Sequence, residues 1–201
     1  MNAHSSEEAI QLLRLAGGLG LTEFWAEGAG LAEGTTDAVR WARAAAVSAQ
    51  QCAELAEAVS PVQESRVSSV RRAIHGFGQN TRPSSFSEAA LRVWLMRRAG
   101  QRLVQLTHSD ASGGADVEAP EELEQARGDE AAGARLGLYG RRVIGEATAQ
   151  AQRVASHDSD LMAALTGAEP GSSAELASST QLLAQLVEGC AQDMISLGLQ
   201  A

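Results

Sequence analysis

Ser172-Ser-Ala-Glu-Leu-Ala-Ser-Ser-Thr-Gln-Leu-Leu-Ala-Gln-Leu-Val-Glu-Gly-Cys-Ala-Gln-Asp-Met-Ile-Ser-Leu197 reads as one long helix with its start signal attached. Ser172 can accept from the backbone N–H three residues on, and Glu175 can reach back. Leu176, Leu183, Leu186, Val187, Cys190 and Met194 then recur at three- and four-residue spacing, which predicts one inward face. The same start signal occurs at Ser5–Glu8, Ser60–Gln63 and Ser85–Glu88. Pro61 stands at a first helical position, where its missing N–H is harmless. Pro120 opens a further acidic helix, with Glu121 and Glu122 at the positive end of its dipole.

Working outward, the pattern predicts helices over about 6–31, 36–59, 61–75, 87–107, 131–156 and 173–197, with short helical pieces after Pro120 and around Leu161–Leu165. Gly76 to Ser84 and Ser109 to Ala119 read as loops from their Gly, Ser, Asn and Pro content. In the second helix Val39, Ala42, Ala46, Ala49 and Ala53 form a small-residue face suited to close helix approach. Gly17, Gly18 and Gly20 serve the same purpose in the first, since neither a dinucleotide fingerprint nor a P-loop lysine accompanies them. Alternating β-branched runs are missing. The expectation is an all-α bundle with additional short helices, residues 1–201 forming one domain.

The 201 residues carry 16 arginines, no lysine and 25 acids. The charge is unevenly placed. Residues 1–64 hold three arginines against nine acids; residues 66–102 hold eight arginines against Glu88 alone; residues 103–201 hold five against fifteen. The basic middle predicts either internal pairing with the acidic flanks or a face for an anion. Candidate binding residues are Arg71, Arg72, Arg97, Arg98, Arg142 and Glu146. Two cysteines, Cys52 and Cys190, with no C-x-x-C, fit reduced buried thiols. No apolar run reaches the roughly 18–20 residues that span a bilayer, and the N-terminal segment lacks a basic region, so the expectation is a cytoplasmic protein without a membrane partner.

A helical bundle is a common frame for two-metal chemistry, which needs Glu-x-x-His pairs on facing helices. None of the four histidines follows an acid at that spacing: Arg72, Gln105 and Val154 stand three residues before His75, His108 and His157. His157 beside Asp158 and Asp160 suggests a helix cap rather than a catalytic triad. Trp25, Trp41 and Trp94 are expected in the core.

The segment Leu136-Gly-Leu-Tyr-Gly-Arg-Arg-Val-Ile-Gly-Glu-Ala-Thr-Ala-Gln-Ala-Gln-Arg-Val-Ala155, the ending Met194–Ala201, and Gly20–Phe24 with Thr36–Ala46 together resemble actinobacterial ferritin-like proteins similar to the tRNA-(2-methylthio-isopentenyladenosine) hydroxylase. The resemblance covers most of the chain and implies a ferritin-like bundle. Active members of that family would hold two irons and use dioxygen to hydroxylate a substrate. Their ligand positions fall here on Gly20, Ser48 and Gln51, none of which can replace a bridging carboxylate or an imidazole. The resemblance therefore implies the fold with no metal, no cofactor and no catalytic residue, its interior filled by alanine and leucine. It points to a binding or assembly role, as a homodimer or with a ligand-complete relative. The alternatives are a hydroxylase-like enzyme with an atypical ligand set (Glu23, Glu27, Glu54 and Glu146) and an RNA-binding surface on the arginine-rich middle.

Overall fold

The computed structural model describes residues 3–57, 61–107 and 117–199. Among them are eight helices and no strand: α1 (Ala3–Leu31), α2 (Thr35–Ala56), α3 (Pro61–Asn80), α4 (Phe86–Thr107), α5 (Glu121–Arg127), α6 (Glu130–His157), α7 (Ser159–Thr166) and α8 (Ser173–Ser196). The all-α expectation holds. Several helix starts follow from local side-chain chemistry. Ser172 accepts from the Glu175 N–H (3.0 Å) while Glu175 accepts from the Gly171 N–H (3.2 Å). Ser85 accepts from the Glu88 N–H, and Glu88 from the Ser84 N–H. Asp129 and Asp158 cap α6 and α7. The box at Ser5 does not open a helix, because α1 already runs from Ala3. The Ser60 box and the expected loop up to Asp116 lie outside the described residues.

α4 is the buried axis. Residues 89–95 are all buried, including Arg92. α1 packs on α2, α3 and α4; α6 packs on α3, α4 and α8; α7 joins α8 to the N-terminal part of α1. One core centres on Phe24, Phe77, Leu91, Leu95, Tyr139 and Met194. A second centres on Ile10, Leu15, Val70, Leu161 and Leu182.

Four sequence expectations change. α3 continues to Asn80 through the expected Gly76–Ser84 loop, because Phe77 is buried against Phe24 (ring centroids 5.6 Å). His75 consequently sits within α3, exposed, rather than at a helix end. The small-residue face of α2 points to solvent: Ala42, Ala46, Ala49 and Ala53 are exposed, as is Val39. α2 instead turns Trp41 and Cys52 inward. Trp41 lies so close to Gly28 that a Cβ there would stand 2.1 Å from the indole, so this glycine is what lets α1 and α2 meet. In α8, Leu176 is 68% exposed, and Glu175, Ser179 and Leu182 take the inward register.

Three arginines from the basic segment are paid into α4's packing by acids on its neighbours. Arg92, fully buried, pairs with Glu27 of α1, donates to the Thr81 carbonyl (3.2 Å) and lies 4.2 Å over the Phe24 ring. Arg98 (2.7 Å) and Arg102 both pair with Asp193 of α8, a buried side chain. Burial alone would raise the Asp193 carboxyl, but hydrogen bonds from Arg102 and Arg98 outweigh it and hold it below its ordinary value. Replacing Asp193 by Asn should destabilise the protein by about 2–3 kcal/mol at neutral pH in denaturant unfolding. A depressed folded pKa contributes stability above the unfolded value of about 4. The difference between wild type and variant should therefore shrink as pH falls below 4. An unchanged unfolding midpoint at pH 7 would mean that the clamp contributes nothing.

Candidate functional site

The bundle interior is not filled. A cavity of about 1000 Å³ runs among α1, α2, α3, α4, α6, α7 and α8. Its lining extends from Ile10 to Leu21 on α1 and from Ile144 to Val154 on α6. At a rise of 1.5 Å per residue, the chamber is roughly 15 Å long along the helix axes. The deep walls are aliphatic and aromatic: Val70, Ile74 and Phe77 of α3, Leu103 and Val104 of α4, Leu182 and Leu186 of α8. The expected alanine-and-leucine filling fails because small residues face one another across the space. Gly17, Ala73, Ala99, Ala147 and Ala151 all line it.

The mouth is identified by the lining residues that reach solvent. These are Arg14 of α1, Gln51 and Glu54 of α2, and Arg97, Gly100 and Gln105 of α4. It opens between α2 and α4, because α2 makes its substantial contacts with α1 alone among the described residues. Magnitudes matter here. A closed dry void of this volume would cost on the order of 20 kcal/mol at about 24 cal/mol per Å³. That exceeds the entire stability of a typical domain, about 5–15 kcal/mol. The space is therefore one that admits solvent or a guest, and its apolar walls favour the guest.

The family ligand positions meet this chamber unevenly. Gly20 is buried beneath Ile74: a Cβ at Gly20 would lie 2.3 Å from the Ile74 Cγ2. Ser48 lines the chamber but donates to the Gly18 carbonyl (3.0 Å). Gln51 is exposed at the mouth rather than buried. The donors of the atypical set are engaged separately. Glu23 faces Arg71 (3.5 Å), Glu27 faces Arg92 and Arg82, Glu54 accepts from Gln50 (3.1 Å), and Glu146 accepts from Asn80 (2.8 Å) and Gln150 (2.6 Å). Those two donors hold the Glu146 carboxyl below its ordinary value. Among the described residues no cluster of three or more His, Cys, Asp or Glu could hold a metal ion. Among the described residues Glu54 is the one carboxylate lining the chamber, and no histidine lines it. The donor chemistry does not fit a carboxylate-bridged iron pair.

Two thiols do reach the walls, Cys52 and Cys190. Burial pushes both up, Cys190 to about 11 with Asp193 adding to the effect. They are protonated, unreactive wall groups at neutral pH.

The sequence matches the profile of a ferritin-like domain of actinomycetes over residues 9–169. The chain belongs to that ferritin-like family. None of the curated proteins matches it.

The candidate binding residues of this ferritin-like chain are spread over three helices. Arg71 and Arg72 are exposed on α3. On α4, Arg98 is committed to Asp193 while Arg97 is exposed and lines the chamber. On α6, Arg142 donates to the Arg82 carbonyl (3.0 Å) and lies 5.0 Å over the Tyr139 ring. Of the eight arginines between residues 66 and 102, six have ion pairs: Arg66 with Asp158 and Asp160, and Arg71, Arg82, Arg92, Arg98 and Arg102 as above. Internal pairing thus absorbs most of the basic segment. Asp158 and Asp160 serve as a cap and an ion-pair partner, and His157 ends α6 with its ring on the Arg153 carbonyl.

The sequence pointed to Arg97, which lines the chamber, and gave no sign of Arg14 or of the chamber itself. The available signal was the run of small side chains on inward faces, which reads equally as close packing. Gly17 and Gly20 separate the two meanings. A Cβ on Gly17 would meet nothing within 4 Å, whereas one on Gly20 collides with Ile74. Gly17→Ala should raise stability by up to about 1 kcal/mol through helix propensity. Gly20→Ala should lower it by about 1–3 kcal/mol through overpacking. Urea midpoints that move in the same direction for both would contradict this geometry.

Proposed function

We propose that this chain is a metal-free, catalytically inactive ferritin-like protein that acts as a binding module, its bundle interior serving as the receptor for an apolar small molecule. The observation that supports the reading is the chamber itself: apolar walls occupy the interior where a two-iron protein requires convergent carboxylates and imidazoles. On this reading the chain descends from proteins like the tRNA-(2-methylthio-isopentenyladenosine) hydroxylase and has kept their fold with Gly20, Ser48 and Gln51 at former ligand positions. No cofactor is needed for its role. No helix among the described residues is long and apolar enough to cross a membrane, so the guest is met by the globular bundle.

The test is metal content. Protein purified from iron-rich medium should carry far less than one iron per chain by elemental analysis and show no absorption of a coupled iron pair. Near-stoichiometric iron would defeat the reading.

The partner we propose is a second copy. α2 rests mainly on α1 and turns Ala42, Ala46, Ala49 and Ala53 outward, with Val39 and Val47 (58% exposed) also on its exterior. Such a surface is suited to close approach of a symmetry-related helix. Sedimentation should give a dimer at micromolar concentration that Ala49→Arg converts to monomer. A wild-type protein that stays monomeric throughout the concentration series would exclude this partner.

A further inference from the structure

The charges at the chamber mouth carry the reading one step further, to the chemistry of the guest. The arginines that α4 sends toward α1 and α8 are ion-paired: Arg92 with Glu27, and Arg98 and Arg102 sharing Asp193. Arg97 stands on the same helix, exposed, lining the chamber, and without an ion-pair partner among the described residues. Arg14 of α1 has the same three properties. The acid at the mouth, Glu54, accepts from Gln50 (3.1 Å) and has no ion-pair partner among the described residues, so it offsets one of the two arginines. A chain with net charge −9 thus places two guanidinium groups against one carboxylate at the opening of its apolar chamber. Gln51 and Gln105 supply further donors in the lining.

The geometry points to an amphiphile with an anionic head and a single acyl-like chain, bound with the head at the arginine-bearing mouth and the chain along the helix axes; this rests on the binding-module reading above. The chamber is elongated, roughly 15 Å by the helical rise, which suits a linear chain better than a compact ring system. Its volume, about 1000 Å³, lies at the upper end of small-molecule sites. Guanidinium forks match a carboxylate through paired N–H donors, and the solvent at the mouth spares the head group full desolvation. Other occupants fit less well. A cationic amphiphile would meet two like charges at the entrance.

The experiment uses the full chain and three probes of equal length: dodecanoate, dodecanol and dodecylamine. Iron content is read on the same sample beforehand. Calorimetry should show dodecanoate binding once per chain, at least roughly ten-fold tighter than dodecylamine. The double variant Arg14→Gln/Arg97→Gln should weaken dodecanoate roughly ten-fold and leave dodecanol unchanged, as expected for two partly exposed ion pairs. Gly17→Leu projects its side chain into the open space and should abolish binding of all three while the melting temperature holds or rises. If Gly17→Leu does not fold, the double arginine variant decides alone. Equal affinity for anionic and cationic probes, or no loss in the arginine variant, overturns the assignment. So does an iron-free protein that ignores dodecanoate, and in that case the metal-free reading still stands. Stoichiometric iron would sink the parent reading instead.

Discussion

The fold depends on cations being carried into the middle of a helix that is buried on every side. Residues 89–95 of α4 leave no solvent-facing edge, yet Arg92 lies among them. An uncompensated guanidinium there would cost several kcal/mol, so its environment must answer the charge. Glu27 answers from α1, the Thr81 carbonyl from the turn before α4, and the Phe24 ring from the side. One of its donors, Nε, has no hydrogen-bond partner. Two turns on, Asp193 fixes α8 through Arg98 and Arg102. These contacts set the register of α1 and α8 on α4 in a way that apolar packing alone does not. Tyr139 adds α6 to the same point, since its hydroxyl donates to the Thr81 carbonyl (2.6 Å).

The same anchors explain where the chamber lies. α4 is buried over its N-terminal half and tied to α8 further on by Arg98 and Arg102, while its lining residues fall between Met96 and Gln105, where most side chains are half-buried or exposed. α2 cannot close the gap, because its partner is α1 and its approach is set by Gly28 and Trp41. The result is a bundle tight at one end and open along one side. A space of this kind is a property of how helices are spaced, and it persists as long as the ion pairs and the Phe24–Phe77 contact hold the frame.

What could be read from the sequence was local. Helix starts at Ser85, Asp158 and Ser172 depend on side chains within three residues of the backbone they cap, and the pattern locates them. The internal pairing of the arginine-rich segment was visible as one of two outcomes, because charge counts are a sequence property while partners are not. The face of α2 was not legible. Alanines at three- and four-residue spacing mark a close-packing surface without saying whether the partner is inside the chain. The length of α3 was not legible either, since Gly76 and Gly78 argue for a loop and only the burial of Phe77 overrides them. Leu176 misled for a related reason: Glu175 and Ser179 hydrogen-bond each other on the inward side and displace the apolar register.

The chamber was the least legible feature because the sequence specifies it by what is missing. Gly17 and Gly20 have identical side chains and lie three residues apart on α1, yet Ile74 occupies the space beside one and nothing occupies the space beside the other. The binding-module reading gives that asymmetry a physical origin. Carboxylates and imidazoles that converge without a metal are desolvated like charges and unmet donors, which is unstable in an apolar interior. A chain relieved of its metal gains stability by replacing them with small or apolar residues. Where a neighbour such as Ile74 can move in, the gap closes; where the surrounding helices are held apart by Arg92, Asp193 and Trp41, it cannot. On this reading the remaining volume is lined by what the interior still offers, and a guest would supply the apolar surface that fills it.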